Sequence, residues 1–177
     1  MLGRLLKLLI IVLFWGAGLN YAYGQQNDLQ DANTVKALFV YNFTKYIEWP
    51  NLKPGAPFII QVYGDAEMKE GLDKMLKGRK VQDHPIEVRQ YSLADTTPVQ
   101  INYIPARQYN KAQATLKNTE GNGSLEITDG LTGKNIPGIN LIKIDEKLKF
   151  QLNEQAIRKE GLKISIQLLD LAVSEED

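Results

Sequence analysis

"FIIQVYGDAEMKEGLDKMLK", residues 58–77, changes its apolar spacing halfway along. Phe58 to Val62 open a mostly apolar run that ends at Gly64-Asp65. Immediately afterwards Met68, Leu72, Met75 and Leu76 recur at helical spacing. This reads as a strand feeding a helix. Gly78 stops the helix, and Val81 to Tyr91, with Ile86 and Val88 alternating with charges, predicts a second and more exposed strand after a turn at Asp83-His84-Pro85. The same order recurs downstream. Val99 to Ile104 predicts a strand, Arg107 to Asn118 a helix with Tyr109, Ala112 and Leu116 inward, and Ser124 to Asp129 a further strand after the turn Gly121-Asn-Gly123. Strands alternating with helices imply crossover connections and a mainly parallel sheet covered on both faces. The expected fold is therefore α/β, a three-layer sandwich.

Lys134 to Gly138 is expected to be a loop. Ile139 to Asp145 and Lys147 to Leu152 flank Asp145-Glu146 and predict a C-terminal β-hairpin at the sheet edge. Asn153 suits the N-cap of a helix through Lys159, with Gly161 as its stop. The tail from Leu162 to Val173 fits two patterns. Leu162, Ile164, Ile166 and Leu168 alternate as in a strand, whereas Leu162, Ile166, Leu169 and Val173 share one helix face. Helix is the preferred reading, because the alternation fails from Gln167 onward.

On the N-terminal side, Val35, Leu38, Phe39, Phe43, Tyr46 and Ile47 recur at spacings of three and four and predict a buried helix face. Pro50 should end that helix near Glu48 or Trp49. Asn42 falls within the stripe and would need a backbone partner if buried. Val40, Tyr41 and Trp49 fall away from its centre, and of these the aromatic Tyr41 and Trp49 are candidates for partner docking.

Met1 to Gly24 has a basic start, an apolar stretch from Leu8 to Trp15 and the small-x-small ending Ala22-Tyr-Gly24, the order of a cleavable signal peptide. Cleavage after Gly24, a flexible segment over 25–33 and one domain over 34–177 are the expected organisation. With no cysteine in the chain, acyl anchoring, disulfides and thiolate chemistry are excluded. Arg4 and Lys7 fall in the leader, so residues 25–177 carry 19 Lys and Arg against 21 Asp and Glu, a balance that argues against nucleic acid. No membrane insertion is expected after cleavage.

No catalytic, metal or cofactor motif is present. His84 is the only histidine, which rules out the usual zinc sets and suits a solvated turn. Gly121-Asn-Gly123 precedes a strand, whereas a phosphate loop follows one, so it reads as a turn. In a parallel sheet the ligand crevice lies beyond the carboxyl ends of the strands. Those ends carry Asp65, Arg107 and Asp129, a candidate small-ligand crevice.

Two stretches carry a resemblance. "VKALFVYNFTKYIEWP" (35–50) and "INLIKIDEKLKFQLNEQAIRKEGLKISIQLLDLA" (139–172) resemble the opening and closing blocks of the YfiR-like family of exported bacterial proteins. Tyr41, Asn42, Phe43, Lys45, Trp49 and Pro50 match the first block. Ile139 to Leu141, Phe150, Asn153, Gly161 to Ser165, Leu168 and Leu169 match the last. Ile166 and Leu152 depart conservatively, and the lack of cysteine departs from the disulfides of the founding members. The resemblance implies a periplasmic, non-catalytic α/β protein, often dimeric. It would restrain an inner-membrane signalling protein, a diguanylate cyclase in the cyclic-di-GMP pathway or a sensor kinase, by binding its extracytoplasmic region, with an outer-membrane lipoprotein as a second partner. A periplasmic small-molecule binding protein using the crevice is the alternative. A hydrolase working through Asp65 and Asp129 is a third reading.

Overall fold

The computed structural model describes residues 32–118, 121–133 and 135–173. The expected signal peptide, the segment over 25–31 and Lys134 lie outside the described residues. In chain order the elements are α1 (32–46), β1 (Ile47–Glu48), β2 (Phe58–Val62), α2 (Ala66–Leu76), β3 (Lys80–Val81), β4 (His84–Gln90), β5 (Ile101–Pro105), α3 (Ala106–Asn118), β6 (Leu125–Asp129), β7 (Ile139–Ile144), β8 (Lys147–Leu152), α4 (Glu154–Lys159), β9 (Lys163–Ile164) and α5 (Ile166–Leu171).

A seven-stranded sheet has the order β3-β4-β2-β5-β6-β7-β8. Strands β4, β2, β5, β6 and β7 run parallel, while the outermost strands, β3 and β8, are antiparallel to their neighbours. The central strands β2 and β5 are buried along their whole length, as expected of strands covered on both faces. Alternate residues of those strands enter two different cores. Phe58, Ile60, Val62, Ile101 and Tyr103 join α1, α2, α4 and α5 in the larger one, whereas Tyr63 and Ile104 pack with Ala112 and Leu116 of α3 on the opposite face. The three-layer α/β architecture is as the sequence predicts.

Both tight hairpins use left-handed residues. Gln82 and Asp83 (φ 47° and 69°) join β3 to β4, and Asp145 and Glu146 (φ 47° and 60°) join β7 to β8. Paired positive φ values match the twist of the flanking strands. The first turn is one residue earlier than expected: His84 and Pro85 already belong to β4. His84 is half-buried, with Nδ1 2.6 Å from the Ala56 carbonyl oxygen, and is not a solvated turn residue.

Helix α1 is rotated from its expected setting. Ala37, Val40, Phe43, Thr44 and Ile47 face the sheet, whereas Val35 and Leu38 remain 41% and 44% exposed. Small side chains at 37, 40 and 44 let the helix approach the sheet closely. Bulky Phe39 is displaced to the flank, where it meets Phe43 and Phe150 edge-on at 6.0 and 6.2 Å. Asn42 is exposed and accepts a hydrogen bond from Lys45 Nζ at 2.9 Å. The helix also begins at residue 32, within the segment expected to be flexible, and ends at Tyr46.

The expected tail helix is corrected in its first part. Ile164 and Lys163 pair antiparallel with Ile47 and Glu48, forming a second, two-stranded sheet. Ser165 then caps α5 by accepting from the Leu168 amide at 3.3 Å. Ile166, expected on the inner face, is 72% exposed, and Leu168 is the residue that enters the core.

Among the described residues the connection from β6 to β7 contains no helix. Residues 130–133 and 135–138 form a loop held by Asn140, which is fully buried at the start of β7. Its Oδ1 accepts from Thr128 Oγ1 at 2.9 Å and from the Leu131 amide at 3.0 Å. Its Nδ2 donates to the Leu131 carbonyl at 2.8 Å and to Gln151 Oε1 at 3.0 Å. Asn153, besides capping α4, donates to the Ile136 carbonyl at 2.9 Å. These two asparagines supply the backbone partners that a crossover helix would otherwise supply internally.

Candidate functional site: the crevice at the carboxyl ends of the strands

Strand order reverses around β2. The chain leaves β2 towards β4, then returns to β5 on the other side. Such a reversal, here between the carboxyl ends of β2 and β5, is the place where open α/β sheets take ligands. Asp65, just beyond β2, accepts from the Met68 amide at 3.0 Å and so caps α2. Arg107, in the first turn of α3, reaches across: its Nη2 donates to Asp65 Oδ2 at 2.9 Å and to the Gly64 carbonyl at 3.2 Å. Gly64 (φ 57°) is pressed by α3, and a Cβ there would stand 2.5 Å from Gln108 Nε2. The ends of β2 and α3 are thus held together by an ion pair and a close approach of backbone to side chain.

Asp129, at the end of β6, is engaged separately. Its Oδ2 accepts from Lys36 Nζ on α1 and from the Tyr103 hydroxyl, each at 2.6 Å. Sequence spacing brings Asp65 and Arg107 together as expected, while Asp129 faces Lys36, a residue the sequence reading did not single out. Lys36 is 93 positions away in the chain, so no local pattern reveals the pair.

Tyr103 is fully buried, and its hydroxyl pKa is pushed far above the usual value of about 10, first by burial and then by the Asp129 charge. The folded state therefore holds the tyrosine proton more tightly than the unfolded chain. Its stabilising effect is complete below about pH 10, and is lost as rising pH ionises the unfolded chain first. Tyr103→Phe should flatten the alkaline limb of a stability–pH curve measured by urea unfolding. At neutral pH it should cost about 1.5 to 3 kcal/mol, the range for a hydrogen bond to a charged acceptor. An unchanged alkaline limb would show that the hydroxyl is not buried as described.

The two aromatic candidates separate. Trp49 is a core residue, 3% exposed, with its ring edge-on to Phe58 at 4.8 Å and its indole N–H donating to the Gln100 carbonyl at 3.2 Å. It presents no ring to a partner in this conformation, because the ring is packed into the core against Phe58, and the segment just before it, β1, is paired with β9. Tyr41 is half-buried on α1, with the Lys45 ammonium and the Arg79 guanidinium each 4.7 Å from its ring centre.

At the opposite end of the sheet a small cleft of about 30 Å³ lies between the turn at 121–123 and the segment 160–162. That is room for water, far below the roughly 300 to 1,000 Å³ of a small-molecule pocket. No described helix is long and apolar enough to cross a membrane.

Comparison with curated proteins returned no match. The YfiR/HmsC-like family model (DUF4154) matches residues 33–173, from the first turn of α1 to the residue that closes on the edge of β8. The match takes in both resembling blocks and every described element of the fold, and on it the chain belongs to the YfiR/HmsC-like family, whose members are known as periplasmic regulators.

Proposed function

We propose that this protein is a non-catalytic periplasmic regulator that docks on the extracytoplasmic region of an inner-membrane signalling protein, a diguanylate cyclase or a sensor kinase, and represses its output. Family membership gives the class of function. The observation that carries the docking surface is the outer side of α1. Val35 and Leu38 lie one turn apart and exposed, on a helix whose other large apolar residues are buried or half-buried. Tyr41, held between two cations, borders that side.

The chemistry of repression is differential binding. A regulator shifts a receptor between active and inactive states only to the extent that it binds the inactive one more tightly. An outer-membrane lipoprotein or a second copy of the chain covering the same side of α1 would compete with the receptor and relieve the repression.

Deleting the gene should raise cyclic-di-GMP or kinase output in the host. Wild type should restore it, whereas a variant carrying Leu38→Glu should not. Because Leu38 is exposed, that substitution should change stability by no more than about 0.5 kcal/mol. Equal complementation by Leu38→Glu would remove α1 from the docking surface.

A further inference from the structure

The chain contains one Asn-Gly step, Asn122-Gly123, in the turn between α3 and β6. Asn122 is exposed, and among the described residues neither its side-chain amide nor the Gly123 N–H has a hydrogen-bond partner. Gly121 and Gly123 flank it at φ 82° and 78°. Glycine after asparagine presents an amide nitrogen unhindered by a Cβ, and the unbonded side chain is free to turn towards it.

We infer that Asn122 is a spontaneous modification site, where deamidation changes the charge of this turn as the protein ages. The Gly123 amide nitrogen attacks Asn122 Cγ and forms the new C–N bond. The bond from Cγ to the side-chain nitrogen breaks, and ammonia leaves carrying the proton from the Gly123 amide. The resulting succinimide is opened by water at either carbonyl, giving aspartate or isoaspartate. No oxidant, reductant or second protein is required.

The local structure gives the new charge a consequence. Both carboxylate oxygens of Glu160 accept from the Gly121 amide, at 2.9 and 3.0 Å, and tie the turn to the end of α4. Asn122, Gly123 and Glu160 line the small cleft together with Trp49, Leu52 and Gln100. A carboxylate at 122 stands next to that of Glu160 and repels it, which loosens the tie and opens the cleft towards Trp49. The isoaspartate form also lengthens the turn by one backbone carbon.

The test is to hold the purified mature protein in mildly alkaline buffer at physiological temperature and follow each asparagine by peptide mapping and mass spectrometry. Conversion at Asn122 should run many times faster than at the other asparagines, which serve as internal references. Asn122→Gln should abolish the early acidic species on isoelectric focusing. Conversion of Asn122 no faster than the rest would overturn the assignment. A second measurement, hydrogen exchange on Asn122→Asp, should show faster exchange of the Gly121 amide than wild type. Unchanged protection there would overturn the coupling to Glu160.

Discussion

Trp49→Ala should destabilise the protein by about 3 to 5 kcal/mol, the range for truncating a fully buried large aromatic side chain. The ring packs edge-on against Phe58 within the larger core, so its removal leaves a cavity in close-packed surroundings. It also leaves the Gln100 carbonyl without its indole donor, although the Leu125 amide still reaches that oxygen at 2.8 Å. Trp49→Phe should recover part of the loss, since it restores the packing without the hydrogen bond. Urea unfolding monitored by circular dichroism measures both. A Trp49→Ala protein that melts as wild type yet fails to bind its partner would return this residue to the docking surface.

A similarly large effect is expected at Asn140. Its side chain satisfies the amide and carbonyl of Leu131, the Thr128 hydroxyl and the side-chain carbonyl oxygen of Gln151 from a fully buried position. Asn140→Ala strands several of these groups, and each buried unsatisfied group costs about 1 to 3 kcal/mol. The expected total is about 3 kcal/mol or more after relaxation and water entry, concentrated in the 130–138 loop. Hydrogen exchange should show that loop opening before the central strands do. Asn140→Asp should be as damaging, because a buried carboxylate cannot donate to the Leu131 carbonyl. Stability within about 0.5 kcal/mol of wild type for both variants would contradict the hub.

The local parts of this fold were legible in the sequence. The switch from a continuous apolar run to helical spacing at Gly64-Asp65 located β2 and α2, and Asn153 and Gly161 marked the ends of α4. Asp145-Glu146 marked the hairpin that closes the sheet. Each signal rests on residues within one turn of each other. The misplaced features depend on distant partners. Leu162 to Leu168 read as a helix because its strand partner, Ile47, lies at the other end of the domain. The rotation of α1 was hidden by side-chain size. Periodicity weights Phe39 and Leu38 heavily, but the sheet selects Ala37, Val40 and Thr44, which permit a closer approach.

At the carboxyl ends of the strands one contact was legible in the sequence and another was not. Asp65 and Arg107 follow from the general position of ligand crevices in parallel sheets, and they do meet. Lys36 and Tyr103, which engage Asp129, carried no signal of their own. One lies on a helix among apolar residues and the other in a strand. The resulting ion pairs join α1 and α3 to the ends of the sheet. In this family member Asp65 is bonded to Arg107 and Asp129 to Lys36 and Tyr103, and the exposed large apolar residues lie elsewhere, Val35 and Leu38 on α1, Leu93 between β4 and β5, and Ile166 and Leu171 on α5.

The most direct measurement is a crosslinking pull-down of tagged mature protein from detergent-solubilised membranes of its host, run beside Leu38→Glu, with bound proteins identified by mass spectrometry. Wild type should retain a diguanylate cyclase or sensor kinase with an extracytoplasmic domain, and Leu38→Glu should not. Recovery of no such protein after crosslinking, or equal recovery by both, would rule out docking through α1.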